Sequence, residues 1–405
     1  MSSVISYLIF LIVIKESYSQ LRNNLVHIQA KDPDMHRKDV TFGGFTFLRG
    51  QLFDEQYLNN KGVCTGRCSD YENTYYHHND RYNKSITQKL FKCAGRVVKC
   101  RNVNNFDVSV VVYADNNMYR YKINKERSDY QIRKAENYHD HYNSHKHHDL
   151  YTSYDVKSDY NNCATCKCYC DDTNNKKLVR SFCLDAVKSR TEDGFVITGL
   201  RFRIRARVVH LEIQEGKLVN GVVDRDTVHW FAKNWCTITG AMNYDNRSLQ
   251  LDEIILPDNQ VLTGIMINRY DPKTKIHGYR FGRFSLGVTA TVLNNRGNLE
   301  VNNWYTYHRI QGPRKALLIS DSNISLISPS GSDELSTPNR HYIKFHPSDW
   351  KYDFAQHVIP FLDLQDVVTE PPSPISGAGI YYKSKRGYGG FIAPKIIVKS
   401  NHLYN

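Results

Sequence analysis

Four arginines alternate with other residues over Arg201-Phe-Arg-Ile-Arg-Ala-Arg-Val208. On an extended strand, alternate side chains share a face and stand about 7 Å apart, so Arg201, Arg203, Arg205 and Arg207 would form a row of guanidinium groups. Each guanidinium can hold a sulfate or carboxylate through two parallel hydrogen bonds, which suits an anionic glycan laid along the strand. The competing reading is a solvated outer strand face, or a hairpin turn near Arg205 that splits the row. A second group is His139, His141, His145, His147 and His148, with Asp140 and Asp149 beside them. Imidazoles this dense can hold zinc or copper, or change charge together in mildly acidic solution. The surrounding stretch 125–162 is polar, with few aliphatic residues, and reads as a long exposed insert. A loop of that kind gives metal ligands little support, so a solvated loop is the plainer reading.

Ten cysteines are present: Cys64, Cys68, Cys93, Cys100, Cys163, Cys166, Cys168, Cys170, Cys183 and Cys236. An even number, nine of them between 64 and 183, reads as a disulfide framework of up to five bridges in an oxidising compartment. Cys163-x-x-Cys166 followed by Cys168 and Cys170 looks metal-like, yet no second Cys-x-x-Cys lies at a zinc-ribbon interval. The spacing leaves connectivity open. The chain contains no P-loop, no His-Glu-x-x-His and no Gly-x-Ser-x-Gly elbow, so the reading is non-enzymatic and needs no cofactor. Gly387-Tyr-Gly-Gly390 lacks the setting of a phosphate cradle and reads as a tight turn.

The start of the chain determines how the cysteines are read. Tyr7-Leu-Ile-Phe-Leu-Ile-Val-Ile14 is an unbroken apolar run of eight, too short to cross a bilayer as a helix. With Ser17 and Ser19 at the small-residue positions, residues 1–19 read as a signal peptide, although 1–6 carry no Lys or Arg. The mature protein is then expected to be secreted and extracellular, with no membrane span. In that compartment the sequons at Asn83, Asn246 and Asn323 become glycosylation candidates. The net charge of +13 favours anionic partners, an anionic glycan or extracellular matrix foremost, rather than nucleic acid, for which no module is present. Oligomeric state is not encoded in any motif.

The elements that must position these groups are short β-strands. Residues 20–60 are weakly patterned and stay unassigned. Residues 61–175 form a Cys-, Tyr- and His-rich disulfide module, in which 108–113 and 118–123 predict two strands joined by a turn. Residues 178–400 carry short β-branched segments between Asn, Asp, Gly and Pro turns, the spacing of an all-β domain.

Within that domain one unit recurs three times. Leu184-Asp185 leads to Ile197-Thr-Gly-Leu200, Leu251-Asp252 to Leu262-Thr-Gly-Ile265, and Leu362-Asp363 to Ile375-Ser-Gly-Ala378. The hydroxyl-Gly step suggests a bulge or a close backbone approach within a strand. The predicted fold is therefore mainly β: a β-prism-like or β-sandwich C-terminal domain preceded by a smaller disulfide-rich module.

Asp193-Gly-Phe-Val-Ile-Thr-Gly-Leu-Arg-Phe202, His210-Leu-Glu-Ile-Gln-Glu-Gly-Lys-Leu218, Ala355-Gln-His-Val-Ile-Pro-Phe-Leu-Asp363, Ser376-Gly-Ala-Gly-Ile-Tyr-Tyr382 and Gly389-Gly-Phe-Ile-Ala-Pro-Lys395 resemble a family of uncharacterised secreted arthropod proteins. That family has a Cys-rich region like 163–170 and repeated Val/Ile-Thr-Gly-x-Arg-Phe-type β motifs. The likeness covers roughly 64–398 and carries no established activity or catalytic residues. The hydroxyl-Gly strands are also similar to vitelline-membrane outer-layer proteins of the β-prism type, which implies a fold only. The expected function is a secreted, non-enzymatic structural or ligand-binding protein. The alternatives are a salivary or venom effector or hydrolase, and a cuticle or egg-coat component.

Overall fold

The computed structural model describes residues 25–54 and 163–399, apart from 232–234, 270–274, 277–278, 281–282, 309–313, 320–330, 349–354, 356 and 386–387. Between those two parts it describes the strands Tyr75–Asn79, Ser85–Lys89, Gly95–Asn102, Val108–Ala114, Asn117–Ile123 and Gln131–Lys134. The signal-peptide run, the five histidines, Asn83 and Asn323 lie outside the described residues.

The regular structure of the described residues is almost entirely β-strand, and each repeated unit builds one sheet. In the first, Phe195–Arg205 pairs antiparallel with Val208–Val219, which pairs with Val222–Phe231. Ser181–Cys183 runs parallel beside Val208–Val219 and carries Thr239–Ala241 on its other side. The second sheet repeats this plan with Gln260–Arg269, Arg283–Leu293, Leu299–His308, Ser248–Leu251 and His341–Lys344. The third uses Gly377–Ser384, Phe391–Lys399 and Phe361–Asp363, but its two remaining strands, Leu25–Ile28 and Phe42–Gly43, come from the beginning of the chain. The N-terminal segment that could not be placed from sequence thus completes the last unit.

The sheets are joined by cyclic exchange. After its Leu-Asp step each unit sends a short strand onto the next unit's sheet: Val187–Lys188 onto the second, Glu253–Ile255 onto the third, and Val367–Val368 onto the first. The register is the same each time, with Lys188 opposite Gly264, Ile255 opposite Gly377 and Val368 opposite Gly199. The next residue then donates its N–H to the hydroxyl residue's carbonyl: Ser189 to Thr263 at 2.9 Å, Leu256 to Ser376 at 2.8 Å, and Thr369 to Thr198 at 3.0 Å. The repeated glycine is required by this close approach. A Cβ at Gly377 would sit 2.5 Å from the Ile254 carbonyl oxygen, and one at Gly199 2.7 Å from Val368 Cγ1.

The repeated aspartates hold the corners where the chain leaves one sheet for the next. Asp185 accepts from the Thr237 and Ile238 N–H groups at 2.7 and 2.9 Å. Asp252 is gripped by the Arg314 guanidinium at 2.8 and 3.0 Å, with both side chains buried. Asp363 lies 2.7 Å from Lys383 Nζ and accepts from the Gln365 N–H at 2.9 Å.

Alternate residues of the long strands point into a common core, as strand periodicity demands. Leu200 and Phe202, then Ile265, Ile267, Phe284 and Leu286, then Ile380, Tyr382, Ile392 and Ile396 belong to one buried cluster. Phe45 links the units: its ring centroid is 5.1 Å from Phe182 and 4.9 Å from Phe345. Burying side chains of this size stabilises by about 1.5–3 kcal/mol each. The architecture is a three-sided prism, and the prism reading applies rather than a two-sheet sandwich.

The disulfide module enters between the N-terminal strands and the first unit. Arg49–Asp54 and Gly95–Asn102 flank Cys163–Cys170 in a small antiparallel sheet. The predicted hairpin forms from Val108–Ala114 and Asn117–Ile123, and Gln131–Lys134 adds to it. Gly50 N–H reaches the Ala355 carbonyl at 2.7 Å, joining the module's first strand to the third unit.

Because backbone oxygen cannot move aside, Gly377→Val should destabilise the protein by about 1–3 kcal/mol through overpacking. Urea unfolding measures this, and an unchanged midpoint would show that the glycine does not serve the exchange.

Candidate functional site

The common register makes outward-facing positions comparable between sheets. Arg201, Met266 and Gly379 occupy one equivalent position, and Arg203, Asn268 and Tyr381 the next. Across the central pairing, Glu212 corresponds to Gly287 and to Lys395. Three faces with one backbone plan therefore carry three chemistries.

The first face holds the arginine row, although in a different form from four free groups. The strand ends at Arg205, and Ala206 and Arg207 form the hairpin turn with φ of 46° and 65°. Arg207 is thereby separated and reaches the Lys176 carbonyl at 3.4 Å. Glu212 takes Arg201 Nε at 2.9 Å on one oxygen and Arg205 Nε at 2.6 Å on the other. Asp366 accepts from Arg203 Nη2 at 2.9 Å and lies 3.4 Å from Arg201 Nη1. Arg203 also donates to the Leu364 carbonyl. The Arg201 guanidinium stacks 3.9 Å from the Trp230 ring centroid. Burial would push the Glu212 carboxyl up, but Arg205 and Arg201 hold it below its ordinary value. Since 364–366 leads into the exchanged strand Val367–Val368, the row's inner part fastens that strand to its new sheet. Its arginine donors face protein carboxylates before any ligand arrives.

The third face is covered by the chain itself. Lys383 Nζ lies between Asp32, at 2.6 Å, and Asp363, at 2.7 Å. Lys395 Nζ lies 2.9 Å from Glu253 and 3.1 Å from Glu334. Both lysine side chains are only 3–4% exposed. Asp32 also accepts from the Ser332 N–H at 2.6 Å, Gln29 donates to Glu334 at 2.7 Å, and His27 Nε2 is 3.3 Å from Glu253. Between the two lysine groups the buried Tyr381 hydroxyl has no hydrogen-bond partner. Burial, and then Asp363, Glu334 and Asp32, push its pKa up. His36 stacks on Phe391 at 4.5 Å with neither ring nitrogen bonded, and burial pulls its pKa down.

Burial opposes ionisation of Glu253, yet His27 and Lys395 hold its pKa at about 2. Burial likewise opposes the charge on Lys383, and Asp363 and Asp32 overcome it. A lysine held charged is no nucleophile, and a carboxylate held ionised is no proton donor. This cluster clamps the segment 27–36 and the strand Asp333–Glu334 onto the third sheet. Sequence reading missed it because a lysine alternating with apolar residues normally faces water.

Cys183 and Cys236 form a disulfide, and Cys168 and Cys170 are also disulfide-bonded. Cys183, Asp185 and Cys236 bring potential ligand atoms within 4.8 Å, but the two sulfurs are bonded to each other and are not thiolates. The adjoining crevice between Asp185, Val187, His210 and Met266 has room for about one water molecule. Asn246 stands half-buried in a turn where its N–H and that of Asp245 bond to the Asn243 side chain at 2.8 and 3.0 Å. No helix among the described residues is long and apolar enough to cross a membrane.

Residues 12–213 match the model of a domain of unknown function (DUF4803). The match runs from ahead of the N-terminal strands through the disulfide module and ends inside Val208–Val219 of the first sheet. It is consistent with an uncharacterised family. No curated protein matches the chain.

Two outcomes follow from the charges. Lys383→Met leaves Asp32 and Asp363 without their buried counterion and should cost about 3–5 kcal/mol in urea unfolding; a loss below 1 kcal/mol would show that the clamp is solvated. Stability should also fall with acid in two steps. His36 and His210 have pKa values lowered by burial, so the unfolded chain binds their protons first and stability declines as pH drops through about 6.5. Glu253, Asp32 and Glu212 are lowered carboxyls, whose stabilisation is present above about 4.5 and is lost toward pH 2. Thermal midpoints across pH 2–8 should resolve both declines.

Proposed function

We propose that this chain is a secreted, non-enzymatic extracellular protein that acts as a rigid binding or structural element. The observation that carries the reading is how the polar groups of the first and third faces are used. Their arginines, lysines and carboxylates are committed to one another in pairs that fasten exchanged strands and the N-terminal segment. A hydrolase needs an acid or base free to change protonation beside a substrate cleft. Among the described residues, the filled core and a crevice beside Asp185 with room for one water favour a scaffold instead.

The disulfide Cys183–Cys236 and the bonded Cys168 and Cys170 support an oxidising destination. An anionic glycan or extracellular matrix stays the expected partner for a chain of net charge +13. Of the arginine row, Arg207 at the hairpin end and the half-exposed Arg205, beyond its bond to Glu212, are placed to add to that attraction. Arg201 and Arg203 already serve the fold.

Expression of the full chain in a eukaryotic secretory line tests the reading. The protein should accumulate in the medium, begin at Gln20, and run faster on non-reducing than on reducing gels. Incubated with soluble polysaccharides, it should leave their mass distribution unchanged. Intracellular retention with free thiols, or any depolymerisation, would overturn the proposal.

A further inference from the structure

The second sheet's outward face differs from its two equivalents. On the first, guanidinium and carboxylate groups fill the surface, and on the third, residues 27–36 lie over it. On the second, the same positions carry Met266 and Asn268, then Gly287, and on the outer strand Thr306 and His308. None of these is an acid, a lysine or an arginine.

Trp304 also points outward here, opposite Thr291, and is 53% exposed. Lys188 on the exchanged strand lies with its Nζ 5.1 Å from the indole centroid and steadies the ring from one side. Beneath the face, Ser285 Oγ and Thr289 Oγ1 are buried without any hydrogen-bond partner, and their register aims them to this side of the sheet. Asn268 Nδ2 meets His308 Nδ1 at 2.9 Å directly over Gly287, where a Cβ would come within 2.3 Å of that amide nitrogen. Buried hydroxyls left unpaired cost free energy that a partner would recover.

We infer that this face binds a neutral oligosaccharide, stacked on Trp304 and hydrogen-bonded by Thr306, Asn268 and His308. The proposal rests on the reading of the chain as an extracellular binding protein. An exposed indole offers a flat apolar surface, matched by the C–H face of an equatorially linked sugar ring. Flanking amides, imidazole and hydroxyls supply uncharged donors and acceptors for sugar hydroxyls. Among the described positions of this face named above, Lys188 is the one charged group a charged chain would meet, whereas a neutral one pays no unpaired-charge penalty. Trp304, Thr306 and His308 alternate along about 14 Å of strand, the reach of two to three sugar rings.

Isothermal titration of the full chain with cellohexaose and with chitohexaose tests this, with each oligosaccharide re-weighed by mass spectrometry afterwards. Binding of at least one is expected, with Trp304→Ala weakening it about tenfold or more and Asn268→Ala severalfold. Lys177→Ser, in an exposed turn ahead of the first unit, should bind as the unaltered protein does. Trp304 is half-exposed, so its variant should keep the urea midpoint, which is checked in parallel. If the unaltered protein binds neither oligosaccharide, the proposed ligand class is wrong. If it binds and Trp304→Ala binds equally, this face is wrong while the binding reading stands. If the oligosaccharides come back shortened, the non-enzymatic reading fails instead.

Discussion

A short strand that leaves its own sheet and hydrogen-bonds to the next is the constraint on which this fold depends. Two residues of Val187–Lys188, three of Glu253–Ile255 and two of Val367–Val368 make the three junctions, always beside the glycine of a hydroxyl-Gly step. None could hold two sheets together by its own few hydrogen bonds, each worth about 1 kcal/mol net. They work because the exchange is cyclic. Each sheet both gives and receives a strand, so no one junction can open without exposing the core that all three share. The bulges between Ile197 and Gly199 and between Leu262 and Gly264 fall where the incoming strand docks, as a re-aimed strand requires.

With closure assigned to backbone and glycine, side chains on the outer faces are free to differ. Two faces reinforce the exchange by charge, with the cation on the receiving sheet and the anion arriving with the incoming chain: Arg201 and Arg203 meet Asp366, and Lys395 meets Glu253. The second face reverses the direction, since Lys188 arrives and meets the Trp304 ring. Buried ion pairs are seldom the most stabilising choice compared with apolar packing. They do discriminate, because each cation accepts only the strand that brings its partner. In a molecule with three similar sheets, that choice of partner prevents a strand from docking onto the wrong one.

Much of this was legible in the residues, and what was not has a physical reason. Leu-Asp and hydroxyl-Gly recur because each marks a backbone requirement, a corner and a close approach, that side-chain drift cannot relax. The arginine alternation correctly indicated an outward strand face, but the partners Glu212 and Asp366 lie 7–11 and 163–165 positions away, and only the latter interval exceeds what hairpin pairing would suggest. The turn at Ala206 and Arg207 is the hairpin near Arg205 that the alternation left open as its alternative; neither residue is a usual turn former, although both adopt positive φ. Leu25–Ile28 and Phe42–Gly43 are too short to show a period, and their partners lie more than 300 residues on. Nothing in the sequence marks Lys383 and Lys395 as buried for the same reason: residues 27–32, which help to cover them, are remote in sequence.

The use of the chain's own beginning to finish the third sheet ties the rest of the molecule to that closure. In the first two units the third and outer strands follow directly, as Val222–Phe231 with Thr239–Ala241 and as Leu299–His308 with His341–Lys344. In the last unit they precede the whole disulfide module. Residues 25–48 can therefore dock only after Phe361–Lys399 has been made, and the module between them is carried as an insertion whose two ends are fixed on the prism. One end leaves through Arg49–Asp54, bonded at Gly50 to Ala355 of the third unit. The other returns through Cys163–Cys170, where Asp171 meets Arg180 at 3.0 Å beside the first unit. The Asp32–Lys383–Asp363 clamp sits at this seam, so three buried charges are spent on holding it. It is the one place where the threefold plan is completed by a strand that chain connectivity alone would not deliver.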